Sequence, residues 1–231
     1  MGRIRGLAVV GLAIGMVLAM TSPASAATTG SWSFNEGRGA RVANDSSSSN
    51  LDGRVGSDVV TGVKYDGATA YRFTTANRYD VRPQHLVTIP NNDRLNPGTS
   101  KYVVSVRFRT ARDFSNVVQK GQGATAGGNW KIEVYNGRAI CLFRAGNGSD
   151  VAVRSKGRID DGRWHSIRCG RSGSSVTLYV DGTLQGKGSG ISGSLRNSWE
   201  LAIGGKSRCD ANRVVCDYFA GDIDYVRIQK G

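Results

Sequence analysis

Glutamate is nearly missing from this 231-residue chain, which has only Glu36, Glu133 and Glu200. None of the three has another carboxylate two to five residues away. Hydrolysis of a glycosidic bond needs two carboxyl groups about 5–10 Å apart, so the usual one-strand acid pair is lacking. Histidine is as scarce: His85 and His165 stand far apart, and no close cysteine pair precedes a histidine pair. A zinc site is therefore not expected. No serine or cysteine nucleophile accompanies His165 in a recognisable arrangement, which argues against a hydrolytic triad. Helical periodicity is almost absent, excluding an α/β enzyme. The four prolines and the short Ser46–Ser49 run make no linker, so one domain is expected.

The N-terminus is the exception in its long apolar run. Arg3 and Arg5 precede an apolar stretch over residues 7–20, and Ser22-Pro23-Ala24-Ser25-Ala26 ends in a small-x-small pattern. This is the three-part layout of a secretion signal, with cleavage expected after Ala26. The run is short of the roughly 20 residues that span a bilayer, and no second one follows. Residues 1–26 are thus expected to be a signal peptide and 27–231 one exported, soluble domain.

Lys and Arg total 31 against 18 Asp and Glu, a formal net charge of +13. Losing the signal would lower it to +11. Such a balance suits anionic partners such as acidic polysaccharide, wall polymer or anionic lipid. The basic residues are scattered singly, however, so the excess equally suits a solubilised secreted protein, and nucleic acid is not expected. All four cysteines (Cys141, Cys169, Cys209, Cys216) fall in the exported part, and an even number there implies disulfides. Sequence order leaves three connectivities open. The favoured one joins Cys141 to Cys169, tying two predicted neighbouring strands, and Cys209 to Cys216 around a short loop.

Short alternating segments recur throughout. Residues 102–109 put Tyr102, Val104, Val106 and Phe108 on one face and Ser105, Arg107 and Arg109 on the other. Residues 131–135 alternate likewise, and Asn136-Gly137 then supplies a hairpin turn, as Asp181-Gly182 does after residues 176–180. Residues 31–34, 199–203 and 223–228 read as further strands, the second burying Trp199, Leu201 and Ile203. Ten to twelve antiparallel strands at this spacing predict an all-β, two-sheet sandwich or jelly roll. Gly67, Gly162, Gly182 and Gly221 are expected at turns with positive φ.

Several motifs then stand in one order: Trp32-Ser33-Phe34-Asn35-Glu36-Gly37; Tyr65-Asp66-Gly67-Ala68; Val87-Thr88-Ile89-Pro90; Asp161-Gly162-Arg163-Trp164-His165; Leu178-Tyr179-Val180-Asp181-Gly182; and Phe219-Ala220-Gly221-Asp222-Ile223-Asp224-Tyr225. This set resembles the laminin-G-like group of the concanavalin A-like lectin/glucanase superfamily, in the form found in secreted bacterial proteins. The resemblance covers essentially all of residues 27–231 and implies a jelly roll with a concave face. The superfamily also contains hydrolases and lyases, but neither the glucanase Glu-x-Asp-x-x-Glu strand nor a dense Arg, Tyr and His cluster occurs here. The Asp222/Asp224 pair is the remaining acid pair that alternation would put on one face.

A non-catalytic module is expected, binding extracellular or cell-wall polysaccharide, with a protein-binding adhesion module as the alternative and an enzyme with an unfamiliar site as the third reading. Calcium is the cation most often seen in the superfamily, and a structural Ca²⁺ would draw on Asp45 and Asp224. A sugar ring needs an exposed aromatic platform. Trp130, after Gly127-Gly128-Asn129, is the first candidate, then Tyr79 and Tyr218, with Arg82, Arg112 and Arg144 available to acidic sugars. His165 is expected to pack rather than to act as a base.

Overall fold

The computed structural model describes residues 1–2, 26–74, 83–209 and 216–231. The residues expected to form the signal peptide lie almost wholly outside these. Among the described residues no helix is long and apolar enough to cross a membrane.

Sixteen strands follow one another: β1 (Ala27–Trp32), β2 (Val42–Ala43), β3 (Gly53–Val55), β4 (Val60–Tyr65), β5 (Ala68–Phe73), β6 (Val87–Ile89), β7 (Tyr102–Arg109), β8 (Phe114–Lys120), β9 (Gly128–Tyr135), β10 (Arg138–Ala145), β11 (Asp150–Arg154), β12 (His165–Ser172), β13 (Ser175–Val180), β14 (Thr183–Ser189), β15 (Leu201–Ile203) and β16 (Gly221–Lys230). Among the described residues two short 3₁₀ turns are the only helical elements. Sheet A runs β14-β13-β12-β7-β16-β5-β4, with β1 also paired to β16, and sheet B runs β11-β10-β9-β8-β15-β6-β3-β2. All pairings are antiparallel. This is the two-layer sandwich that the strand pattern predicts.

Alternation decides what lies between the layers. In β7, Tyr102, Val104, Val106 and Phe108 are fully buried while Ser105, Arg107 and Arg109 are half-exposed. The core joins these to Trp32, Phe34, Tyr71, Phe73, Trp130, Phe143 and Phe219. Tyr102 touches Trp130 and Phe143, with ring centroids 5.7 and 6.3 Å apart. Its hydroxyl donates to the Leu95 carbonyl at 2.8 Å, so the polar atom that this side chain carries into the core has a partner.

The hairpin dipeptides act as expected. Asn136 and Gly137 have φ of 51° and 71°, and Asp181 and Gly182 have 50° and 77°, the doubly positive turn that matches strand twist. The four glycines predicted at positive φ all show it. Other boundaries move. The first strand is 27–32 rather than 31–34, because it follows the register of β16, pairing Ser31 with Arg227 and Trp32 with Val226. β15 begins at Leu201, leaving Trp199 half-buried before it, with the Arg208 guanidinium 4.4 Å from its ring centroid.

Both favoured disulfides form, but the first does not join neighbouring strands. Cys141 lies on β10 in sheet B and Cys169 on β12 in sheet A, with Cα atoms 5.4 Å apart. The bond crosses the core and staples one layer to the other. Cys209 and Cys216 close their short loop, with Cα atoms 4.4 Å apart.

Candidate functional site

The outer face of sheet B gathers polar side chains in register. Pairing places Arg54, Thr88, Ala202, Gln119, Lys131 and Leu142 opposite one another from β3 across to β10. These are the outward partners of core residues one position away. A basin of about 280 Å³ opens on β8, β9 and β10, lined by Gln119, Gln122, Asn129, Lys131, Leu142, Arg144 and Lys206. A second of about 500 Å³ lies toward the other end of the same face, with Arg41, Arg54, Gln84 and Thr88 in its wall.

The first basin has specific chemistry. The Asn129 and Gln122 side-chain carbonyls are buried with no protein hydrogen-bond partner, as is that of Gln84 in the second. Each cation in the basin has its own carboxylate: Lys131 to Glu133 at 2.5 Å, Arg144 to Asp150 at 2.7 Å and Lys206 to Asp217 at 2.6 Å. The basin is therefore dipolar rather than strongly charged, with amide acceptors and ammonium and guanidinium donors side by side. Further along β9 and β8, Tyr135 and Phe114 face each other in register, each 41% exposed, with ring centroids 5.6 Å apart. The Arg154 guanidinium lies 5.6 Å from the Tyr135 centroid.

This corrects the choice of Trp130. It is fully buried, and its indole N–H points to the Leu95 carbonyl at 3.4 Å. The neighbours Asn129 and Lys131 face the basin instead, because a strand turns successive side chains to opposite sides. The exposed ring on that strand is Tyr135. The alternation Lys131, Glu133, Tyr135 was enough to place it outward, since Ile132 and Val134 claim the core. Tyr79 and Arg82 lie outside the described residues. Tyr218 is half-buried with its ring 4.9 Å from that of His85. Arg112 is exposed and Arg144 reaches the basin.

Asp45 and Asp224 do not fit a calcium site. Asp45 accepts backbone N–H groups from Ser31, Ser47 and Leu51 at 2.8, 2.9 and 2.8 Å, plus the Ser47 hydroxyl at 2.8 Å. That makes it the organiser of the loop after β2. Asp224 pairs with Arg107 at 2.9 Å. Four donors fill both Asp45 oxygens and a guanidinium takes Asp224 Oδ2, contacts a hard cation would have to displace. Among the described residues no group of three or more His, Cys, Asp or Glu could hold a metal ion.

The acid pair of the last strand is also spoken for. β16 bulges between Ile223 and Tyr225, and Asp222 accepts from Arg72 and Arg109, each ion pair at 2.7 Å. Burial pushes the Asp222 carboxyl up, but those two guanidinium partners outweigh it and hold the group below its ordinary value. A general acid must stay protonated near the working pH, and this environment does the opposite. His165 sits with Nδ1 2.7 Å from Asp181 and Nε2 3.1 Å from Asp161, so both ring nitrogens face carboxylates.

The depressed Asp222 has a measurable consequence. Its contribution to stability is complete above the unfolded carboxyl value near 3.8 and is lost as pH falls through the lower folded one. Wild-type protein should therefore lose stability steeply below pH 4, and Asp222→Asn should cost about 1–2 kcal/mol at pH 7 and flatten that acid limb. Denaturant midpoints measured from pH 2 to 7 check this; equal limbs in both proteins would refute it.

A two-layer antiparallel sandwich with two disulfides, bonds that persist in an oxidising compartment, is the fold class of concanavalin A-like domains. Residues 82–231 match the laminin G family model of the concanavalin A-like lectin/glucanases superfamily, and the chain belongs to that family. It is 29% identical over 93 residues to Neurexin-1b-beta of Danio rerio, covering 40% of this chain and 20% of that protein. The chain thus spans about a fifth of the length of the curated relatives it matches. Domain 4 of an extracellular arabinanase from Geobacillus stearothermophilus, solved with arabinotriose, superposes with a TM-score of 0.61 at 16% identity, covering 89% of this chain and 93% of that one. The botulinum neurotoxin serotype G binding domain gives 0.63 at 14%, covering 88% and 47%. Domains LG4-5 of mouse laminin alpha1 give 0.53 at 14%, covering 69% and 46%. At these identities the likeness is one of fold.

Proposed function

We propose that this chain is a secreted, non-catalytic module that recognises extracellular carbohydrate through the outer face of sheet B. The observation that carries this is the pair of unpartnered amide carbonyls, Asn129 and Gln122, in a basin whose other walls supply Gln119, Lys131 and Arg144. Sugar hydroxyls both donate and accept, and a wall of paired amides and cations offers both roles within one ring's reach. An unmatched buried acceptor costs free energy until a donor arrives, which favours a ligand rich in hydroxyls. The arabinanase domain solved with a trisaccharide and the toxin binding domains support a binding role for the fold.

A second reading rests on the exposed Phe114–Tyr135 pair beside Arg154, whose aromatic and arginine composition suits a protein contact. A glycan array separates the two. Binding to one glycan class, weakened about tenfold by Asn129→Ala and unmoved by Phe114→Ala, is the expected result, one lost charge-assisted or amide contact being worth that factor. Silence across the array, with capture of a surface protein that Tyr135→Ala abolishes, would transfer the function to adhesion.

A further inference from the structure

Sheet A has an outer face of a different kind. Register places Tyr179, Arg168, Ser105, Arg227 and Ser31 in one cross-strand row from β13 to β1. The next rows toward the other end of β7 hold Arg107 opposite Tyr225 and Arg109 opposite Asp222 and Arg72. Those three arginines are consumed: Arg72 and Arg109 by Asp222, Arg107 by Asp224. Arg168 and Arg227 are not. Both are exposed, and among the described residues neither has a carboxylate partner. Arg168 lies over the Tyr179 ring, 5.3 Å from its centroid, which steadies the side chain without neutralising it.

Arg227 opens into a depression of about 480 Å³ whose other walls are Ala27, Thr28, Ser31, Ser46, Ser47 and Ser48. The carboxylates nearest in the chain are Asp224, three residues before Arg227 and paired with Arg107, and Asp45 beside the serines, which is buried with its oxygens filled by four donors. A guanidinium over a hydroxyl-lined depression, with the local acid already satisfied, is a receptor for an oxyanion. Arg168 stands two strands away along the same row, about 10 Å at the usual interstrand spacing. Two free cations so placed, with the Ser105 hydroxyl between them, form a short track rather than a single point.

We propose that the outer face of sheet A binds a uronate-bearing polysaccharide, with Arg227 and the serine depression holding one carboxylate and Arg168 the next. Carboxylate fits the bidentate guanidinium fork. The hydroxyls of Ser48, Thr28 and Ser105 fit the polyol remainder of such a chain. The track is on the opposite layer from the amide basin, so it stands or falls independently of the function proposed above and makes the domain two-sided toward glycans.

The test is titration of the 27–231 protein with polygalacturonate, using unsubstituted amylose and inorganic polyphosphate as comparators, at low and at physiological salt. Arg168→Gln with Arg227→Gln should weaken polygalacturonate binding by at least about tenfold, since two charge-assisted contacts are lost. It should leave the melting temperature unchanged, as both side chains are exposed. Arg38→Gln with Arg94→Gln removes the same charge from other exposed positions and should leave binding within about twofold, because screened, distant charges contribute little. Equal losses in both arginine pairs would show a bulk charge effect and overturn the track. Polyphosphate bound more tightly than polygalacturonate would overturn the assignment of ligand.

Discussion

Replacing Lys120 with Met is expected to destabilise the domain by about 3–5 kcal/mol, because it removes a buried cation and leaves its oxygen partners unmatched. Lys120 ends β8 and is fully buried. Its ammonium donates to Asn91 Oδ1 at 2.7 Å, to the Asn197 carbonyl at 3.0 Å and Oδ1 at 3.2 Å, and to the Trp199 carbonyl. Burial pushes this ammonium down to about 8, which still leaves it protonated at neutral pH and able to use all three donors. Asn197 passes the connection on, donating its side-chain N–H to the Gly128 carbonyl at 2.8 Å and its backbone N–H to Asn96 Oδ1 at 3.2 Å. One cation therefore ties together the segments around residues 91–96, 120–128 and 197–199. A thioether can fill the stem's volume but can donate to none of these oxygens. Urea titration reads the effect as a lower midpoint at unchanged slope. A loss below about 1 kcal/mol would show that the oxygens find other donors.

Breaking the inter-sheet disulfide with Cys141→Ala and Cys169→Ala should cost about 3–4 kcal/mol, the chain-entropy value for a loop closed over 28 residues of separation. For a domain of this size that is a fall of roughly 10 °C in melting temperature. Both sulfurs are buried between the layers, so a modest cavity penalty adds to the loss. The Cys209–Cys216 bond, with a separation of only 7, closes a much shorter loop, and the corresponding double variant should lose less. A larger loss from the short loop than from the inter-sheet staple would contradict this account. Differential scanning calorimetry of both variants makes the comparison.

Much of this protein was legible in its residues, for a local reason. Period-two patterning, Asn-Gly and Asp-Gly turns and an even cysteine count each act over a few positions, and together they specify strands, hairpins, a sandwich and two disulfides. The pairing of Cys141 with Cys169 was also reachable, but not the fact that it spans two sheets. That depends on the strand order β12-β7-β16 in one layer and β10-β9-β8 in the other, which no local pattern encodes. The same limit explains the candidate site. Trp130 was chosen for following a glycine-rich stretch, whereas the facing of β9 decides exposure. Its parity is set by Ile132 and Val134, so the outward residues are Asn129, Lys131 and Tyr135.

What the sequence determined by itself is the class of molecule: all-β and laminin-G-like. The tertiary structure decided how its polar residues are spent. Asp45, Asp222 and Asp224 read as metal or acid candidates in one dimension, yet in space Asp45 is filled by donors from Ser31 and its own loop, and Asp222 and Asp224 meet arginines far away along the chain. Lys120 carries no signal in the sequence but lies inside, because its oxygen partners come from two separate segments, at Asn91 and at residues 197–199. Arg168 and Arg227, unremarkable in the chain, share one exposed row because β12 and β16 flank β7. Hydrogen bonds and ion pairs act at about 3 Å in space and are blind to separation along the chain, so only the folded arrangement shows which groups are satisfied and which are left for a ligand.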